Sequence, residues 1–466
     1  MLSSTRFGAA FLPRRATVLL SVQFSFGNSA KVLPCSTNEC DEFLPWLERK
    51  AGIEVSSVLS IGSSTHGRSL FASRCIHSGD CILKIPYSVQ LRSDNILPEI
   101  QRFLGDAASS HARLALLILF EENLGQASEW EPYISCLPQM GMLHSTVFWS
   151  KDELDMVQCS PVYQETIHHK ACIEKDFIAV QQVDIIFWAL GHLPHYCRDV
   201  TFEKFMHAYA LVESRAWGTS SKELSLIPFA DFLNHDGRSE GTLLSNEDKE
   251  ISEVIADRGY SAGEEVLISY GKFSNASLLL DYGFTLPYNT HDQVQIWFGM
   301  SQFEPFYEMK LELLDKHQIA AMDDANGIET VGNHFTIREV KSARGWGRGI
   351  PLSLRAFARV MTATSCQELE DLVREAAQND GRLARRPLMN KIKEIEAHQM
   401  LLERIETLMQ GYSPCILSMQ LKNTCTENSQ LEMRRKMAID LLSGELRVLR
   451  SASMWLKNYC TSLSGG

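Results

Sequence analysis

What this 466-residue chain lacks narrows what it can do. Its twelve cysteines form no C-x-C or C-x-x-C; the nearest pairs, Cys35 with Cys40 and Cys75 with Cys81, do not have the spacing of a zinc site. No metal is therefore expected. Scattered thiols in a chain of this size behave as small buried hydrophobes in a reducing compartment, so no disulfide is expected either. Long apolar runs are missing too: the longest, Leu114 to Phe120 in "RLALLILFEE", falls far short of the ~20 residues that span a bilayer. A soluble protein with no membrane partner is expected. Positive charge is in deficit, with 45 lysines and arginines against 57 acidic residues and a net charge of −12. No global field draws such a chain to nucleic acid. There is no P-loop and no internal repeat. The G-x-G-x-G at Gly345, Gly347 and Gly349 has no strand before it and not the dinucleotide spacing, so it reads as a loop.

One absence is local. The chain has no acidic residue before Glu39, while Arg6, Arg14, Arg15, Lys31 and several serines and threonines lie ahead of it. That bias is the signature of an organellar transit peptide over residues 1–38, for chloroplast or mitochondrion, and the segment is set aside from fold reasoning.

What is present suffices for two or three domains of roughly 150 residues, and a hydrophobic content of 45% supports a packed core. From Glu48 to about Leu91, β-branched clusters broken by Gly62, Gly67 and Ser78-Gly79 read as a small antiparallel sheet. From about Asn95 to Val212 the period becomes helical, in "HARLALLILFEENL", "QETIHHKACIEKDFIAVQQVDIIFWAL" and "FEKFMHAYALVESRAW". Strand character returns in "SLIPFADFLNH", "ISEVIADRGYSAGEEVLISYG" and "HDQVQIWF". After about Gly299 the reading is helical throughout, with Leu369, Leu372, Val373 and Ala376 on one stripe and Leu401, Ile405 and Leu408 on another. The fold class is α+β, followed by a separate helical domain.

Within "DFLNHD", Asp231, His235 and Asp236 could bind a metal, could wall a cofactor, or could include a core histidine satisfied by a backbone carbonyl. No second histidine cluster lies at suitable spacing, since His168 and His169 diverge on a helix. Downstream, a strand ending at Tyr270 and a helix-like segment ending at Tyr282 bring two phenols to element ends. Functional side chains favour such positions, although half-buried core tyrosines do so too.

Taken in order, "GRSLFA", "SRAW", "ADFLNHD", "GEEVLISYG" and "DYGF" resemble the SET-domain methyltransferases. The long helical block and helical tail resemble the Rubisco large-subunit methyltransferase subgroup, and the resemblance covers nearly the whole chain from about Glu48. It implies a SET-domain β-fold over 48–290 with a knot-like core and a helical insertion at about 95–212, then an all-α substrate-binding domain over 300–466. S-adenosylmethionine is the implied cofactor, with His66, Gly67, Arg68, Asn234 and His235 at the cofactor-binding positions. Tyr270 takes the catalytic position and Tyr282 that of the second tyrosine of the lysine channel, while Arg215 and Asp231 match positions near the target lysine and the cofactor. Two residues depart from the family pattern: Ser69 replaces a glycine of the cofactor loop, and Asp236 replaces the common serine after Asn-His. The implied activity is protein-lysine N-methylation of a non-histone organellar protein that docks through the helical tail of a monomeric enzyme. Histidine methylation and a catalytically inactive SET-like binding module are the alternatives.

Overall fold

The structure, a computed structural model, describes residues 42–65, 67–96, 98–190, 200–218, 224–317, 330–342, 345–421 and 429–465. The expected transit peptide therefore lies outside the described residues, as does His66.

The chain opens with a helix, α1 (Phe43–Ala51), where strands were expected from Glu48 onward. Phe43 and Leu47, four residues apart, both bury completely, and Gly52 closes the helix at φ 69°. Strands β1 (Leu59–Ser64) and β2 (Gly67–Ala72) form an antiparallel hairpin. Strands β3 (Cys81–Pro86) and β4 (Leu91–Arg92) do not extend it.

Helices α2 (Pro98–Leu104), α3 (Ser110–Leu124), α4 (Glu131–Ile134), α5 (Lys151–Leu154), α6 (Val162–Leu190) and α7 (Phe202–Arg215) make up the inserted block. The N-cap hydroxyls of Ser109 and Thr201 accept from the amides of Ala112 and Lys204, starting α3 and α7. After the block come β5 (Trp217–Gly218), β6 (Leu224–Leu226), β7 (Asn234–His235), β8 (Leu243–Asn246), β9 (Ile251–Ile255) and β10 (Leu267–Ile268). β3 pairs with β9, β4 pairs with β6, and β7 lies parallel to β10. The first sheet is thus local only in its hairpin. Strands β3 and β4 find their partners more than a hundred residues away, which periodicity cannot reveal.

A short helix α8 (Asn275–Ser277) continues as a π-turn over Leu278–Tyr282. Strand β11 (Gln293–Ser301) then buries Val294, Ile296, Phe298 and Met300, every second residue. After α9 (Tyr307–Lys316), β12 (Thr330–Arg338) returns to pair with all nine residues of β11. The tail is therefore helical except for this strand, correcting the expectation of helix throughout. Helices α10 (Leu352–Met361), α11 (Cys366–Ala377), α12 (Lys391–Leu421) and α13 (Ser429–Ser464) complete the chain. On α11, Leu369, Leu372 and Ala376 bury, while Val373 stays 41% exposed at the stripe's edge.

Two apolar cores result. One joins α1, the first strands, α3, α7 and the segment from Leu226 to Leu233. The other joins β11, β12 and α10–α13, and it also takes Trp149, Leu154, Val157 and Val162 from the inserted block. The glycine-rich joint is a packing device: a Cβ on Gly347, at φ 61°, would come within 2.6 Å of Trp455.

Candidate active site

The site begins with a strained turn. Phe229, fully buried, has φ 74° and ψ −43°, a conformation that costs a non-glycine residue about 1–3 kcal/mol. The turn leads into Ala230–Phe232 and presents Asp231 toward α4, where Tyr133 donates its hydroxyl proton to Asp231 Oδ2 at 2.8 Å. Asp231 Oδ1 is shut off from solvent and has no partner. Burial pushes this carboxyl up to about 6, against the pull of Arg215, the Tyr133 hydrogen bond and Arg68. Arg68 is itself held: its guanidinium donates to the Cys136 carbonyl and lies 5.0 Å from the Phe232 ring centre.

Two residues beyond Phe232, the β7–β10 ladder sets Asn234 beside Leu267 and His235 beside Ile268. Asn234 Nδ2 donates to the Arg68 carbonyl and to Glu265, each at 3.3 Å, tying the β2 loop to β7. The amide of Tyr270 donates to His235 Nδ1 at 3.1 Å, which places the imidazole proton on Nε2. Burial lowers the pKa of His235, opposed by the Ile268 carbonyl and Asp236, so the ring is neutral. Tyr270 donates its hydroxyl proton to the Leu233 carbonyl at 2.7 Å.

Around Tyr270 the rings close in. Its centroid lies 5.1 Å from His235, 5.3 Å from Tyr282, 5.9 Å from Trp217 and 6.5 Å from Phe284. Tyr282 is fixed by its neighbour Gly283, at φ 75°, where a Cβ would sit 2.6 Å from the Ser145 amide nitrogen. Only glycine lets the chain pass there. Burial pushes Tyr270 well above the ordinary phenol range; burial and then Asp281 raise Tyr282 to about 12. Both are neutral phenols at physiological pH, able to donate and accept hydrogen bonds but not to act as phenolate bases.

Of the residues singled out by sequence, the structure brings Arg68, Asp231, Asn234, His235, Tyr270 and Tyr282 together through these contacts, with Arg215 in electrostatic reach of Asp231 and Tyr270. Gly67 starts β2 at φ 94° with open space where a Cβ would be, beside the Arg68 carbonyl. Ser69 is fully buried and its Oγ has no partner, so its hydroxyl was accommodated without a hydrogen bond. Sequence reasoning missed Trp217, Phe284 and Tyr133. The first two are the last residues of the quoted "SRAW" and "DYGF" and were legible as aromatic neighbours of chosen residues; Tyr133, in the inserted block, carried no local signal. Among the described residues no group of three or more His, Cys, Asp or Glu side chains could hold a metal ion.

The site therefore combines a backbone-lined opening at Gly67–Arg68, a wall at Asn234–His235, and an aromatic enclosure ending at two phenols. The family description "SET domain" matches residues 67–271, and "Rubisco LSMT substrate-binding" matches residues 301–449. The ribulose-1,5 bisphosphate carboxylase/oxygenase large subunit N-methyltransferase of Pisum sativum is 27% identical over 333 residues, covering 68% of this chain and 66% of that enzyme. The actin-histidine N-methyltransferase of Homo sapiens is 25% identical over 431 residues, covering 88% of this chain and 67% of the relative. The solved structure of Rubisco LSMT bound to AdoMet superposes with a TM-score of 0.71 at 23% identity, covering 92% of this chain and 94% of that one.

Proposed function

Because the chain belongs to the SET-domain proteins of the Rubisco large-subunit methyltransferase-like type, we propose that it is a protein-lysine N-methyltransferase using S-adenosylmethionine. The observation that carries this is Tyr270, whose hydroxyl, amide and ring are each fixed by the Asn234–His235 segment and the aromatic enclosure. The cofactor supplies, when bound, an electrophilic methyl group on a sulfonium. Gly67 and Arg68, with His66 outside the described residues, would hold it together with Asn234 and His235. The fit rests on the open space at Gly67 and on the Asn234 carboxamide oxygen, which accepts from no described group.

Methyl transfer is an in-line displacement, so alignment matters more than acid strength. Tyr282, Trp217 and Phe284 would wall the target side chain, and Arg215 and Asp231 would set the charge at its end. A lysine arrives as an ammonium, with an ordinary pKa of about 10.4, and must lose a proton to attack. Desolvation among these rings favours the neutral amine. With its proton committed to Leu233, the Tyr270 hydroxyl turns its oxygen lone pairs toward the enclosure, where they orient the amine.

The helical tail is proposed to dock a protein substrate, and the acid-free start to direct organellar import. The chloroplastic designation of the pea relative supports a plastid address. A second reading, histidine as the target, is favoured by the human relative named for actin-histidine methylation. Mass spectrometry of methylated proteins in cells lacking this protein decides among them. Loss of a methyl-lysine supports the proposal, loss of a methyl-histidine supports the second reading, and no loss leaves neither.

A further inference from the structure

The inserted helical block reaches the site through one short segment. Tyr133 of α4 donates to Asp231 Oδ2 at 2.8 Å, and three residues on the Cys136 carbonyl accepts from Arg68. Tyr133 is fully buried, its ring 6.4 Å from Phe43 between centroids, and Phe43 in turn stands 5.2 Å from Phe232 beside Asp231. The hydroxyl is therefore held by a rigid apolar wall and has no other acceptor among the described residues. Asp231 keeps one oxygen, Oδ1, without any partner and out of contact with solvent. A buried carboxylate oxygen is costly to leave unmade, and a site that keeps one is poised for a donor from outside the chain.

We propose that Tyr133 is a positioning residue of the methyl-transfer site: its hydroxyl orients Asp231 so that the unpartnered Oδ1 meets the incoming ammonium, and it keeps that carboxylate ionised. This rests on the methyltransferase reading. Arg215 of α7, Arg68 of β2, Tyr133 of α4 and Tyr270 after β10 are the charged and titratable groups that face Asp231. Of these, the two arginines and Tyr133 favour the anion, while burial opposes it. Removing the phenol hydrogen bond leaves burial opposed by the arginines alone, so the carboxyl holds its proton to higher pH.

Tyr133→Phe keeps the ring and deletes only the hydroxyl. Carboxyl carbon NMR of aspartate-labelled full-length protein, with the Asp231 signal assigned from Asp231→Asn, reads the titration without requiring catalysis. The wild-type midpoint is expected at about 6, and Tyr133→Phe is expected to raise it by about one pH unit. The acid limb of kcat/KM should move with it, because that limb reports free-enzyme ionisation, and a residual loss should remain well above both midpoints, because the ionised carboxylate is no longer oriented. An unmoved Asp231 midpoint overturns the proposal. So does an equal loss of kcat/KM at every pH with a lowered Tm, which marks a purely structural tyrosine. A shifted midpoint in a protein that methylates nothing supports the Tyr133–Asp231 coupling while refuting the enzyme reading, so the two failures are distinguishable.

Discussion

The ladder beside Tyr270 pairs two residues of β7 with two of β10, whereas β11 and β12 pair over nine residues each. The same contrast runs through the two halves of the molecule. Around the site the elements are short and the geometry depends on single hydrogen bonds: Tyr270 to Leu233, the Tyr270 amide to His235, Asn234 to Arg68. In the tail, α12 and α13 pack along each other over long apolar stripes. Its buried charge near Glu394 is closed by protein partners: Arg359 at 2.6 Å, Tyr459 at 2.7 Å and the Leu388 amide at 3.3 Å. The site leaves Asp231 Oδ1 and Ser69 Oγ unpartnered, and the tail leaves Arg359 Nε, Arg434 Nε and Glu445 Oε2 so. The two regions therefore differ in the length of their elements and in how many bonds hold each one, and not in whether every buried polar atom is paired.

The largest expected effect breaks the closed lattice. Glu394→Ala strands Arg359 in a buried position, where its side chain is 1% exposed, and should cost about 3–5 kcal/mol of unfolding free energy. Chemical denaturation measures it, and calorimetry with S-adenosylmethionine should find the affinity of the folded fraction unchanged. Loss of cofactor affinity would mean that the two regions are not energetically separate.

Next in size is the site's own hydrogen bond. Tyr270→Phe should slow turnover by at least ~100-fold, about 2.7 kcal/mol in the barrier, while costing only about 1 kcal/mol of stability. Single-turnover methyl transfer and thermal denaturation separate the two. A lowered Tm with unchanged turnover would reduce Tyr270 to a core aromatic.

A third test sharpens the comparison by pH. Glu445 on α13 accepts from Ser160 at 2.9 Å, and burial raises its carboxyl to about 8. The folded state holds this proton up to about 8, while the unfolded chain releases it near the ordinary 4.5. Its contribution to stability is present at low pH and is lost as pH rises between those values, with a slope of up to about 1.4 kcal/mol per pH unit. Asp231, Asp281 and Asp292, each raised to about 6, slope the same way at lower pH. Glu445→Gln should flatten the profile of denaturation free energy between pH values near 6 and 8. An unchanged slope would remove Glu445 as its source.

Much of this was legible in the sequence, for definite reasons. The period of β11, the stripes of α11 and α12 and the switch to helix after Leu91 are local, so they could be read from residue spacing. The return of β12 to β11 could not, because the helical reading after Gly299 left no place for a second strand beyond α9, and neither could the partners of β3 and β4. At the site, Asn234, His235, Tyr270 and Tyr282 carried ordered motifs. Tyr133 carried none, since a tyrosine on a four-residue helix looks like any buried aromatic until Asp231 is seen against it. The positive φ of Phe229 was equally hidden: nothing in "IPFADF" demands a turn.

The central claim is that the enclosure around Tyr270 transfers a methyl group to lysine. The most direct measurement incubates the full-length chain with deuteromethyl S-adenosylmethionine and an organelle extract from cells lacking the protein, then locates the label by peptide mass spectrometry. The expected result is a deuteromethyl-lysine formed with the wild-type chain and absent with Tyr270→Phe. Label on histidine alone, or equal lysine labelling by both proteins, would contradict it.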